Sequence, residues 1–275
     1  MKNILVLTDF SECAGQASRA AIEIAKKSGS SIHFLHCKAV PHNWVYLTDV
    51  ENQIYRDVSK EIKNVNYQLD QWVKQANNQG IKAQQSICYN EDNYAVVQYI
   101  NDHDVDFVMM GSHGAHGFKE VFIGSNAQKV VRYSDEPVFV VKKEFKYMDE
   151  PRIVFVSEFE TEMIGAFQKV VDFARNIGAK VDLLYINTPT YFSETWEMKG
   201  RMQIFIDHAE EILGEVEIVN STNFERGIES YCFQMDNSIL AMATHGRTGI
   251  ARMLVSSMTE KVINHIDRPI LSLHV

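Results

Sequence analysis

The 275-residue chain is 45% hydrophobic and 23% charged, an ordinary balance for a globular protein and enough material for two domains of ~100–200 residues each. Its formal net charge of −9 excludes a general nucleic-acid or anionic-membrane surface, since both need basic patches. No apolar run approaches the ~20 residues of a membrane span, and Asp9 cuts off the first apolar run too early for a signal-peptide core.

Residues 3–8 read as a short strand, apolar on both faces and therefore central in a parallel sheet, with Asp9 at its carboxyl end. Ser11 is a suitable N-cap for a helix carrying Ala14, Ala17, Ala21 and Ile24 on one face and ending at Gly29. Residues 31–37 form a second strand. After a loop at Pro41, Val50, Ile54, Val58, Ile62, Val65, Leu69, Trp72 and Val73 recur at helical spacing, which predicts a long core-facing helix closing before Gly80. Residues 83–88 read as a strand, a helix runs through Val96, Val97 and Ile100, and 106–110 is the fourth strand. A helix over 125–133 and a fifth strand over 137–141 complete the unit. Strands alternating with helices imply a parallel sheet covered on both faces.

Between the fourth strand and the last helix runs a loop with glycines at 111, 114, 117 and 124. A strand feeding a glycine-rich loop and then a helix N-terminus suits phosphate, because glycines let N–H groups approach an anion and the helix end adds partial positive charge. A surface loop whose glycines only make turns fits the same residues equally well.

Residues 142–151 are charged and end in proline, as a linker does, and then the pattern restarts. Arg152 onward matches Asn3 onward, and Lys180 onward matches Ser31 onward, at an offset of 149. Residues 243–257 match 111–125, and Pro269 matches Pro137, at an offset of 132, so 17 residues are missing from the middle of the second copy. The chain is thus two similar units, 1–143 and 151–275.

In an open parallel sheet, ligands bind beyond the carboxyl ends of the strands where the strand order reverses. If the first and fourth strands are neighbours, Thr8 and Asp9 face Met110, Gly111 and the loop across that crevice. Asp9 can accept hydrogen bonds from a ligand hydroxyl or amine, and it can equally cap the helix behind it. Ser125 can serve a terminal phosphate or cap its own helix. His113 can contact phosphate or ribose, or simply face solvent, and His116 and Lys119 carry weaker claims. His33, His36 and Cys37 form an HxxHC run, but on a strand the two histidines point to opposite faces, which argues against a metal site. The four cysteines, Cys13, Cys37, Cys88 and Cys232, lack a CxxC pair and read as reduced, cytoplasmic thiols. No Walker or dinucleotide glycine signature, nucleophile elbow or zincin motif is present.

The LTDFSE start, the LHC strand end and the spacing Gly111-x2-Gly114-x9-Gly124-Ser125 resemble the universal stress protein family, and the restart resembles its tandem members. The resemblance implies an α/β fold with two tandem doubly wound five-stranded parallel sheets of order 3-2-1-4-5, of the adenine nucleotide alpha hydrolase-like kind. It implies ATP, AMP or ADP as ligand, with Mg2+ through the phosphates, and pairing through the last strands as an internal pseudo-dimer, with further homodimerisation and an unknown protein partner left open. Carried over by position, Asp9 lies at the nucleoside end and the Cys37 backbone meets the adenine. Gly111 and His113 lie near the ribose and first phosphate, while Gly114, Gly124, Ser125 and the Asn126 amide hold the rest. The second copy departs from the pattern: Ala243, Gly246, Ser256 and Ser257 replace Gly111, Gly114, Gly124 and Ser125, and Glu158 replaces Asp9. It is expected to bind nucleotide weakly or not at all. The rival expectations are a nucleotide-independent interaction scaffold and, ranked last, an ATP-using enzyme, whose SGGxDS-type loop after the first strand is absent.

Overall fold

The first strand, β1 (Asn3–Leu7), has Ile4, Leu5 and Val6 fully buried, as a strand with helices on both faces requires. This comes from a computed structural model that describes residues 1–40, 56–90, 94–112, 125–142, 151–233, 235, 238–244, 262, 266 and 268–275. α1 (Glu12–Ser28) begins where the Ser11 hydroxyl accepts the Ala14 N–H at 3.2 Å, and it stops at Gly29, whose φ of 70° is the left-handed cap that glycine adopts without strain. β2 (Ser31–Ala39) follows, then α2 (Arg56–Asn78), which turns Val65, Leu69 and Ala76 into the core. Val50 and Ile54 of the expected stripe lie outside the described residues. β3 (Ala83–Asn90), α3 (Ala95–Asp102), β4 (Phe107–Gly111), α4 (Ser125–Tyr133) and β5 (Val138–Val141) finish the first half.

The second half repeats the series with β6 (Arg152–Val156), α5 (Ile164–Ile177), β7 (Lys180–Asn187), α6 (Thr195–Ala209), β8 (Leu213–Asn220), α7 (Phe224–Phe233), β9 (Ile239–Thr244) and β10 (Ile270–His274). A 3-10 turn over Thr161–Met163 precedes α5. The shortening read from the offsets falls partly on α6, which has 15 residues against 23 in α2.

The strands lie in the order β3-β2-β1-β4-β5-β10-β9-β6-β7-β8, so the two five-stranded units meet edge to edge in one sheet. Pairing within each half is parallel, while β5 and β10 join antiparallel, with Val140 opposite Ile270 and Phe139 opposite Leu271. Each last strand thereby covers the edge that the other would leave open. Helices α1, α2, α5 and α6 pack on one face and α3, α4 and α7 on the other. The first of these layers crosses the junction, because Phe173 of α5 stacks on Phe107 of β4 with ring centroids 4.7 Å apart. Among the described residues, no helix is long and apolar enough to cross a membrane.

Candidate functional site

β1 has β2 on one side, up to Leu7 opposite Leu35, and β4 on the other, with Val6 opposite Met109. The order reverses between β1 and β4, so the crevice beyond their carboxyl ends is where an open sheet admits a ligand. Thr8 is buried: its N–H donates to the Leu35 carbonyl at 2.9 Å, its hydroxyl accepts the Phe10 N–H at 2.9 Å, and its carbonyl meets His36 Nδ1 at 2.8 Å. This turn sets Phe10 at a φ of 64°, a left-handed conformation that side chains disfavour. Asp9 stands exposed at its tip, with Oδ1 accepting the Ser11 N–H at 3.0 Å. Asp9 therefore braces the turn, while Ser11 caps the helix.

Met110 is buried and Gly111 is the last residue of β4. A Cβ built on Gly111 would stand 2.6 Å from the Cys13 carbonyl carbon and 2.8 Å from the Ala14 nitrogen. The first turn of α1 thus lies directly against the point where the glycine loop departs. The glycine at 111 is explained by that helix contact, which the sequence reading, centred on phosphate, missed. Cys13 also ties α1 to the end of β5 by donating its thiol to the Lys142 carbonyl at 3.2 Å.

On the β2 side, the ladder explains how Cys37 is presented. The Leu35 carbonyl faces β1, and main-chain groups two residues on face the same way. β1 has ended at Leu7, yet β2 continues to Ala39 alongside β3. The N–H and C=O of Cys37 therefore point over the end of β1, past its last rung. Below them an aromatic cluster supports the turn: Phe10 stacks on His36 at 5.1 Å and meets Trp72 edge-on at 5.6 Å. Burial lowers the His36 pKa, assisted by Lys38 and opposed by the Thr8 carbonyl and Asp9. His36, Phe10 and Trp72 were not singled out as site residues; the one sequence signal was the recurrence of Phe10 as Phe159. His113, Gly114 and Gly124 lie outside the described residues, and Ser125 and Asn126 are the first two residues of α4.

Among the described residues, the rim thus offers a carboxylate and the main-chain N–H and C=O of Cys37 beyond the end of β1, which suits a polar ligand with hydroxyls and a heteroaromatic edge. Among the described residues, no group of three or more His, Cys, Asp or Glu could hold a metal ion. Comparison with known proteins gives this geometry a family. The model of the universal stress protein family matches residues 1–142 and again 151–274. The chain belongs to the universal stress protein family. It is 24% identical to universal stress protein Slr1230 of Synechocystis over 308 residues, covering 99% of both chains. It is 26% identical to universal stress protein MJ0577 of Methanocaldococcus jannaschii over 158 residues, 52% of this chain and 96% of that one. The crystal structure of a universal stress protein from Archaeoglobus fulgidus has the same fold, with a TM-score of 0.72 at 21% identity over 99% of this chain and 98% of that one.

The two halves of this universal stress protein build the same turn differently. The Ser157 N–H donates to the Leu184 carbonyl at 3.3 Å, its hydroxyl accepts the Phe159 N–H at 3.0 Å, and Phe159 has a φ of 55°. Phe159, however, is 1% exposed, packed against Phe155 and edge-on to Phe205 at 5.1 Å. Arg201 of α6 pairs with both Glu160 and Glu197, which ties that helix to the turn. Glu158 is exposed, and Ala243 is buried near the end of β9. Gly246, Ser256 and Ser257 lie outside the described residues.

Proposed function

We propose that this universal stress protein is a cytoplasmic protein that binds ATP, or the related AMP or ADP, in its N-terminal unit (1–143) as a regulatory ligand and not as an enzyme's substrate. The observation that carries the reading is the convergence at one rim of the Asp9 turn, the start of the glycine loop at Gly111 and the unladdered main chain of Cys37. Cys37 would read the donor and acceptor edge of an adenine, and Asp9 would accept a ribose hydroxyl. Thr8 and Met110 would form the floor, and Gly111 and His113 would lie near the ribose and first phosphate. Gly114, Gly124, Ser125 and the Asn126 amide would hold the remaining phosphates, with Mg2+ carried on the phosphates themselves. The second unit (151–275) would serve as structural partner, its crevice narrowed by Phe159 and tied by Arg201.

One specific observation favours a rival. The contact of Gly111 with α1 accounts for that glycine without any ligand, as a nucleotide-independent interaction scaffold would require. Thermal unfolding separates the two. Nucleotide at a hundredfold excess over Kd stabilises a one-site protein by about 2.7 kcal/mol, so ATP raises the Tm on our reading and leaves it unchanged for the scaffold. Mass spectrometry of small molecules that co-purify with the chain would identify the adenylate.

A further inference from the structure

Cys37 of β2 lies directly opposite Cys88 of β3 in the parallel register. Both side chains pack on the sheet face covered by α3, and a hydrogen bond joins the two thiols. We propose that Cys37 and Cys88 form a dithiol modification site at which hydrogen peroxide produces an intramolecular disulfide across β2 and β3.

Neighbouring strands run about 4.8 Å apart, inside the roughly 4.4–6.8 Å between Cα atoms that a disulfide spans. Side-chain rotation therefore brings the sulfurs together with little backbone movement. Both cysteines are only partly buried, so a small oxidant reaches them. The other thiols are engaged elsewhere: Cys13 on α1 donates to Lys142, and Cys232 is buried on α7 in the second half. Packing alone does not call for sulfur here, because the matching strands of the second half place Ile186 opposite Val219.

The chemistry balances in two steps. The Cys88 thiolate attacks one peroxide oxygen; the S–O bond forms, the O–O bond breaks, and hydroxide leaves to take a proton as water. The Cys37 sulfur then attacks Cys88 Sγ; the S–S bond forms, the S–O bond breaks, and the departing hydroxide takes the Cys37 proton as a second water. The two sulfurs lose one electron each and the peroxide gains both. The hydrogen bond to Cys88, burial and the charge on Cys88 push the Cys37 thiol up; the same two steps balance with the sulfurs exchanged, so either thiol can open the reaction. The inference does not depend on nucleotide binding.

The test treats the reduced full chain with hydrogen peroxide, blocks remaining thiols with N-ethylmaleimide and maps the digest by mass spectrometry. The expected product is the Cys37 peptide joined to the Cys88 peptide within one chain, released by dithiothreitol, with neither Cys13 nor Cys232 in the link. Cys37→Ser should leave Cys88 as a sulfenic acid captured by dimedone. The proposal is overturned if both cysteines remain alkylated after peroxide, if each goes separately to a sulfinic acid, or if the link is to another cysteine or another chain.

Discussion

Phe173, on the first long helix of the second half, lies flat on Phe107 of the first half's β4, with the rings 4.7 Å apart and 13° from parallel. Both are almost fully buried, and Phe173 also leans on Phe139 of β5 at 6.1 Å. The join between the repeats is therefore a hydrophobic core as well as a strand pair. Phe173→Ala should cost about 3–5 kcal/mol, the usual range for emptying a buried aromatic site. Because the ring serves both halves, chemical denaturation should remain one transition at lower denaturant. Two separate transitions in the wild type would contradict a shared core.

Asp182 is fully buried near the start of β7, in the second half and separated from β4 by β5, β10, β9 and β6, with both carboxylate oxygens on the Arg152 guanidinium. It also accepts the Glu215 N–H at 2.7 Å. Asp182→Ala removes three hydrogen bonds and leaves the Glu215 N–H without this acceptor, while the partly exposed Arg152 keeps Glu215, so the variant should lose about 1–3 kcal/mol. Nucleotide affinity, measured on the folded fraction, should be unchanged. A loss of affinity equal to the loss of stability would show that the two halves of the sheet are coupled.

Two histidines make stability depend on pH. Burial, helped by His103, lowers His33 below the ordinary 6.5, and burial lowers His36. The unfolded chain then takes up protons that the folded chain resists. Their contribution is complete above about pH 6.5 and is lost as pH falls through that value toward the folded pKa values. Urea unfolding between pH 7.5 and pH 5 should show falling stability, with a shallower slope in the His33→Gln/His36→Gln variant. An unchanged slope in that variant would remove both histidines from the explanation.

Much of the architecture was legible because it rests on local periodicity and on repetition. The offsets of 149 and 132 pointed to two units, and the family resemblance implied the β5–β10 join. The missed features arise from contacts between residues far apart in sequence. Nothing near Gly111 announces that Cys13 will press against it, and nothing near Asp182 names Arg152, 30 residues away, as its partner. The left-handed φ of Phe10 was hidden because a bulky residue is a poor advertisement for that conformation, and the Thr8 hydroxyl imposes it. Cys37 came from family resemblance, whereas the physical reason, a strand outrunning its neighbour, needs the register.

The central claim is nucleotide binding at the first crevice, and titration calorimetry of ATP into the full chain tests it most directly. The account predicts one nucleotide per chain, binding lost or strongly weakened in Asp9→Ala, and binding retained in Glu158→Ala. No heat of binding with ATP, ADP or AMP, or two equivalent sites per chain, would contradict it.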